Sequence, residues 1–200
     1  MAEDGSLDLG PIDALAELYT SCGVDGVFVC GSTGECHALS TDERLAIGRR
    51  WIDVAGAELD VIVHVGHNCP GDAIALAADA REAGAKAIAA MAPTYHRPVT
   101  IDELLDVFEP IAAAGGALPF YFYDIPALSG VSFASDRVLE LGSKRLPTLA
   151  GITFTSSDLM RFQSCVRLDG GRFDLLFGCD ECPVSYTHLT LPTTRLVWGA

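Results

Sequence analysis

Short apolar runs alternate with helix-periodic segments along nearly the whole chain. Six runs read as strands: residues 27–30, 61–65, 86–91, 119–123, 149–153 and 174–178. Each is apolar almost throughout rather than alternating, the pattern of a parallel sheet with both faces covered. Their ends, near Cys30, Val65, Met91, Tyr123, Thr153 and Gly178, recur roughly every 25 to 35 residues.

The intervening segments carry helical spacing. Ile12, Leu15, Leu18 and Tyr19 define a helix over 11–22, with Asp8 placed to cap it and Pro11 at an early position. A second helix begins at Thr41 and puts Leu45, Ile47 and Trp51 on one side. Alanine-rich 72–83 is a third. The helix over 101–114 has Thr100 as cap and Gly115-Gly116 as its end. A weak helix covers 134–141, and Ser156 or Ser157 caps one that runs to about Val166.

Strands alternating with helices leave two architectures, an open doubly wound sheet and a (β/α)8 barrel. Polar, glycine-containing turns follow nearly every strand instead of one switch point, which favours the barrel. A complete barrel needs eight strands and about 250 residues, so six strands in 200 residues predict an incomplete (β/α)8 TIM barrel. Two unpaired sheet edges are then expected.

The turn after the first run, Gly31-Ser-Thr-Gly-Glu35, places two hydroxyls between two glycines ahead of a helix. Glycines allow close backbone approach to a ligand, and such a turn suits a carboxylate or phosphate. On local chemistry alone it is equally an ordinary strand-to-helix turn.

Composition narrows the functional classes. Half the residues are apolar and the formal net charge is −14, which argues against nucleic acid and anionic membrane as partners. Seven cysteines, odd in number and scattered, fit reduced thiols and a cytoplasmic setting better than a disulfide framework. Cys179-Asp-Glu-Cys182 has metal-type spacing without a second pair, so chance is the stronger reading. His64 and His67, in and just after a strand, read as core or surface residues rather than metal ligands. The N-terminus lacks the basic start and apolar stretch of a signal peptide.

Several strand ends together resemble the N-acetylneuraminate lyase and dihydrodipicolinate synthase family of class I pyruvate aldolases. The resemblance runs from about Gly5 to Glu181. It rests on Gly31-Ser-Thr-Gly-Glu35, Tyr123-Asp-Ile-Pro-Ala-Leu-Ser-Gly130, Gly151-Ile-Thr-Phe-Thr-Ser-Ser-Asp158 and Phe177-Gly-Cys-Asp-Glu181. The last, with Phe120-Tyr-Phe-Tyr and Val61-Ile-Val-His-Val-Gly, leans towards the sialic acid lyases. The resemblance implies a (β/α)8 barrel that cleaves N-acetylneuraminate to pyruvate and N-acetylmannosamine, without a metal or other cofactor. It implies that Ser32 and Thr33 hold the pyruvate carboxylate, that Tyr123 transfers a proton, and that Tyr95 is a relay tyrosine, often at a subunit interface. Thr155, Gly178, Asp180 and Glu181 would meet the sugar hydroxyls. The partners implied are a 2-oxo acid and a sugar acid, in a homotetramer. Read as ordinary residues, Tyr123 and Tyr95 are packing groups with satisfied hydroxyls, and Asp180 and Glu181 are solvated loop charges.

Three departures qualify this. The family forms its iminium on a lysine where Thr153 stands here, and a hydroxyl gives only a labile hemiketal. The two lysines, Lys86 and Lys144, sit at a strand start and in a polar loop. This chain is therefore expected to be inactive in the covalent chemistry, and three explanations compete: a true binding-only or altered-chemistry member, a sequence error (one base turns a lysine codon into a threonine codon), or an engineered change. The segment matching residues 3–8 follows the family's first barrel strand, which is expected to be missing. Beyond Cys182 the pattern ends, and 183–200 reads as translated read-through. The expected organisation is thus a partial barrel domain over 1–182 and a foreign tail over 183–200. Other sugar-acid aldolases or dehydratases of the family, a dihydrodipicolinate synthase, and a non-catalytic 2-oxo-acid-binding barrel are the alternatives.

Overall fold

The computed structural model describes residues 4–179 and the strand 196–198. Helices α1 (Gly10–Ser21), α2 (Thr41–Ala55), α3 (Pro70–Ala83), α4 (Ile101–Gly115), α5 (Pro126–Ser129), α6 (Ser135–Arg145) and α7 (Leu159–Arg167) alternate with strands. The strands are β1 (Gly26–Val29), β2 (Asp60–His64), β3 (Ala87–Met91), β4 (Phe120–Asp124), β5 (Leu149–Phe154), β6 (Asp174–Phe177) and β7 (Leu196–Trp198).

All the strands pair in parallel, in the order β6-β5-β4-β3-β2-β1-β7. From β1 to β6 each strand lies beside its sequence neighbour, with no point at which the order reverses. That excludes the doubly wound sheet, whose order switches in the middle. Burial gives the same answer. One buried cluster joins outward strand positions such as Val27, Val29, Phe120, Phe122, Ile152 and Phe154 to helix residues such as Trp51, Leu76, Leu104, Phe108 and Phe162. The second, around Phe28, Ile62, Ala89, Met91, Tyr121, Tyr123 and Leu176, has strand residues alone at its core. Helices thus cover one face of the sheet, and the other face packs on itself. The fold is an incomplete (β/α) barrel.

Local chemistry accounts for most element boundaries. Ser40 caps α2 by accepting from the Glu43 amide, and the Glu43 carboxylate returns to the Ser40 amide. Thr100 caps α4 through the Glu103 amide. The N-cap position of α1 is Leu9, without a side-chain cap, and Asp8 accepts only from the Gly10 amide, at 2.9 Å.

Three details differ from expectation. The buried line of α2 is Arg44, Gly48, Trp51 and Ala55, and Leu45 and Ile47 are only partly covered. Arg44 takes the inward position because backbone carbonyls await it there. Asp158, rather than Ser156 or Ser157, caps α7, accepting from the Arg161 amide at 3.0 Å. The edge of β1 is not bare, since β7 pairs with it from Gly26 to Phe28. That strand comes from the segment expected to lie outside the fold.

Candidate active site

The C-terminal strand ends converge on a small cavity lined by Phe28, Gly31, Ser32, Thr33, Tyr123, Ile125, Thr155 and Gly178. Five of the residues singled out from sequence, Ser32, Thr33, Tyr123, Thr155 and Gly178, therefore meet at one place. The cavity encloses about 70 Å³. Pockets for drug-sized ligands run to roughly 300–1,000 Å³, so this one suits a fragment of a few heavy atoms. A larger, more open hollow is lined by Asp13, Glu17 and Thr20 of α1, Val54 at the end of α2 and Glu58 just beyond it. It lies in the outer layer, away from the strand ends.

β1 leads into the site through a strained corner. Cys30 has φ of 55°, in the left-handed region. A Cβ on the next residue, Gly31, would come within 3.0 Å of the Phe28 ring, so glycine lets the backbone turn tightly over that ring. The turn then closes through Glu35 N–H to the Ser32 carbonyl and Cys36 N–H to the Gly31 carbonyl. This presents the Ser32 side chain to β4. Its Oγ lies 2.8 Å from the Tyr123 hydroxyl, one group donating to the other.

Tyr123 is held by edge contacts to Phe28 and His64, with centroids 5.1 and 5.4 Å away. Burial pushes its phenol above the ordinary value, while the hydrogen bonds to Ser32 pull the other way. The phenol is therefore protonated at neutral pH and able to donate to a bound oxygen. Thr155 Oγ1 and the Thr155 amide both donate to the Asp124 carbonyl, at 2.7 and 3.0 Å. The Gly178 amide donates to the Phe154 carbonyl at 2.8 Å.

Thr153 sits on β5 as the register partner of Tyr123. It is completely buried, and its Oγ1 finds no hydrogen-bond partner among the described residues. Neither lysine substitutes for an amine there. Lys86 pairs with Asp60 at 3.3 Å and Lys144 with Glu140 at 3.8 Å, both on exposed surfaces. Tyr95 is not part of the cavity: it is 80 % exposed and meets His96 edge-on. Asp180 and Glu181 lie outside the described residues, as does Cys182.

Sequence reading missed the group beneath the site. Arg44 donates from Nη1 to the Gly66 carbonyl at 2.9 Å and from Nη2 to the His64 carbonyl at 2.6 Å, from a fully buried position. His64 Nδ1 meets the Cys30 carbonyl at 2.8 Å. A carbonyl only accepts, so Nδ1 carries the proton, leaving Nε2 to face the Met91 amide at 3.4 Å. Burial, reinforced by the Arg44 charge, holds the His64 pKa well below the ordinary imidazole value. The ring is neutral and buttresses the strained Cys30 corner. Burial also pushes the Cys30 thiol up to about 11 and the Cys36 thiol upward. Neither is a thiolate nucleophile at neutral pH.

The polar groups gather at the C-terminal strand ends, around a hydroxyl-rich turn and a strand-end tyrosine, where (β/α) barrels carry their active sites. A model of the dihydrodipicolinate synthetase family matches residues 1–191, and the chain belongs to that family. It is 39 % identical over 184 residues to an N-acetylneuraminate lyase of Pongo abelii, covering 90 % of this chain and 58 % of that protein. The structure of Proteus mirabilis N-acetylneuraminate lyase superposes with a TM-score of 0.92 at 31 % identity, over 99 % of this chain and 66 % of that one. A prophage protein of the dihydrodipicolinic acid synthase family from E. coli K12, in complex with pyruvate, superposes with a TM-score of 0.86 at 29 % identity. That likeness covers 94 % of this chain and 63 % of that one. The chain thus spans a little over half the length of the curated relatives it matches. Among the described residues no helix is long and apolar enough to cross a membrane.

Proposed function

We propose that the chain is part of a cytoplasmic class I pyruvate aldolase of the N-acetylneuraminate lyase type, with the 2-oxo acid seated between the Ser32 turn and Tyr123. The observation that carries this is the 2.8 Å approach of Ser32 Oγ to the Tyr123 hydroxyl, across 91 residues of sequence, at the wall of a cavity that suits a fragment of a few heavy atoms. Ser32 and Thr33 supply hydroxyls and adjoining amides for a carboxylate. The protonated Tyr123 supplies a donor and proton carrier at the carbonyl.

In the parent reaction a lysine at position 153 would add its amine to the 2-oxo carbon and lose water to form an iminium. The C–C bond then breaks with its electron pair drawn towards nitrogen. Tyr123, left as the phenolate once it has given its proton to the departing water, takes the proton from the sugar hydroxyl as that oxygen becomes a carbonyl, and N-acetylmannosamine leaves. The enamine takes up a proton, and water hydrolyses the imine to release pyruvate. Thr153 cannot form the nitrogen adduct, so this chain is expected to be silent in that step. Tyr95 and Val99, about four-fifths exposed, fit an interface in a homotetrameric parent.

Borohydride trapping with pyruvate tests the reading. The Thr153→Lys variant should be labelled on residue 153, with the mass of a reduced pyruvate adduct, and the parent chain should not. Labelling of the parent, or none of the folded variant, would overturn it.

A second reading, a barrel that binds 2-oxo acids without turnover, is favoured by the orphan Thr153 hydroxyl facing the same interior as Tyr123. A bound carbonyl oxygen would satisfy it. Calorimetry separates the readings: saturable pyruvate binding by the parent, lost in Ser32→Ala/Thr33→Ala, supports the silent barrel.

A further inference from the structure

The loop after β2 and the first turn of α3 bring three different metal-ligating groups together outside the cavity. Ligand atoms of His67, Cys69 and Asp72 all lie within 4.8 Å of one another. His67 Nδ1 is 3.5 Å from Asp72 Oδ2. It also accepts the Cys69 amide proton at 3.0 Å, so Nδ1 is the unprotonated nitrogen and would exchange this hydrogen bond for a metal bond. Cys69 occupies the N-cap position of α3, yet its side chain makes no cap hydrogen bond, and its thiol is free and exposed. The only ion-pair partner of Asp72 among the described residues is His67. We propose that His67, Cys69 and Asp72 form a site for a zinc-class divalent cation, with the fourth position open to water.

The donor set favours that class. One imidazole nitrogen, one thiolate sulfur and one carboxylate oxygen form a borderline-soft set that suits Zn²⁺ or Co²⁺ over Mg²⁺ or Ca²⁺. In a tetrahedral site with bonds of about 2.0–2.3 Å, ligand atoms stand roughly 3.3–3.8 Å apart. The cluster therefore needs to close by about 1 Å, within the reach of side-chain rotation on a fixed backbone. Pro70 and the α3 turn fix that backbone. Coordination deprotonates the thiol, so Cys69 and Asp72 together balance a divalent charge. This offsets two opposing features nearby, the positive end of the α3 dipole, at whose N-cap Cys69 stands, and the Arg44 guanidinium, whose field reaches Asp72.

The position gives the cation something to hold. Asn68, between two ligands, accepts from the Thr94 and Tyr95 amides at 2.9 and 3.1 Å. A metal at His67 and Cys69 would clamp the loop after β2 and, through Asn68, the loop after β3 that carries Tyr95.

The full chain, kept reduced without chelating thiols, is titrated with Co²⁺ and then Zn²⁺. One Co²⁺ per chain is expected, with a thiolate-to-cobalt charge-transfer band that Zn²⁺ abolishes. Cys69→Ser should lose the band, His67→Ala and Asp72→Asn should weaken binding by roughly tenfold or more, and Cys22→Ser should match the parent. As a check that needs no variant, Zn²⁺ should slow alkylation of Cys69 and leave that of exposed Cys22 unchanged. Absence of a band, binding that survives Cys69→Ser, variants at His67 and Asp72 that bind as the parent does, or equal protection of Cys22 and Cys69 would each overturn the site.

Discussion

Tyr123 and Thr153 are register partners on β4 and β5, both turned to the barrel interior, yet only the tyrosine has its hydroxyl satisfied. A buried hydroxyl without a partner costs on the order of 1–3 kcal/mol. Thr153→Val keeps the shape and removes that hydroxyl. Denaturant unfolding should show it more stable than the parent by about 1 kcal/mol. A variant less stable than the parent would mean that the Thr153 hydroxyl is satisfied in solution.

The Ser32–Tyr123 contact predicts a coupled effect on ligand and proton. Burial raises the Tyr123 phenol, and Ser32 holds it partly back. Ser32→Ala removes that restraint, so the phenol should titrate higher still, read by ultraviolet difference titration against Tyr123→Phe. Pyruvate affinity should fall by roughly five- to tenfold, as expected for one lost hydrogen bond of about 1 kcal/mol. In Ser32→Ala/Tyr123→Phe the two losses should be less than additive, because each group orients the other.

Much of this was legible before any coordinates. Continuous apolar runs such as 61–65 and 119–123 fall within a residue of β2 and β4, because parallel strands buried on both faces carry their own signature. Ser32, Thr33, Tyr123, Thr155 and Gly178 came from the resemblance of the strand-end motifs to the family, and the fold brings them to one cavity. Arg44 was not legible. A guanidinium in the first turns of a polar-looking helix reads as solvated, and only the fold shows that it reaches the carbonyls of His64 and Gly66. Nor was α5, whose four residues are too few for a periodic signal. The Asp158 cap was hidden among neighbouring serines with the same capping chemistry.

Gly151 leaves no room for a side chain between β5 and β6. A Cβ there would stand 1.7 Å from the Asp174 carbonyl oxygen, a backbone atom that cannot move without breaking the pairing. Gly151→Ala should cost at least about 3 kcal/mol and raise amide exchange across Ile152, Thr153 and Phe154. An unchanged unfolding midpoint would contradict the β5–β6 register.

Two buried groups make opposite demands on pH. Burial raises Asp124 to about 6, against the Ser135 hydroxyl that donates to it at 2.6 Å. Between about pH 4 and 6 the unfolded chain has released this proton and the native state retains it. Stability from this group therefore falls as pH rises, by roughly 3 kcal/mol across the window. His64 has its pKa depressed, so below about 6.5 the unfolded chain takes up a proton that the native state refuses. Its contribution falls as pH drops. The two trends oppose each other over the shared range, and the parent should show a flattened profile there. Asp124→Asn should unmask the histidine and make stability rise more steeply with pH between 4 and 6. His64→Gln should unmask the aspartate and make it fall. Urea midpoints of the parent and both variants at pH 4, 5, 6 and 7 measure this, and parallel profiles for all three would show that neither group titrates as its burial requires.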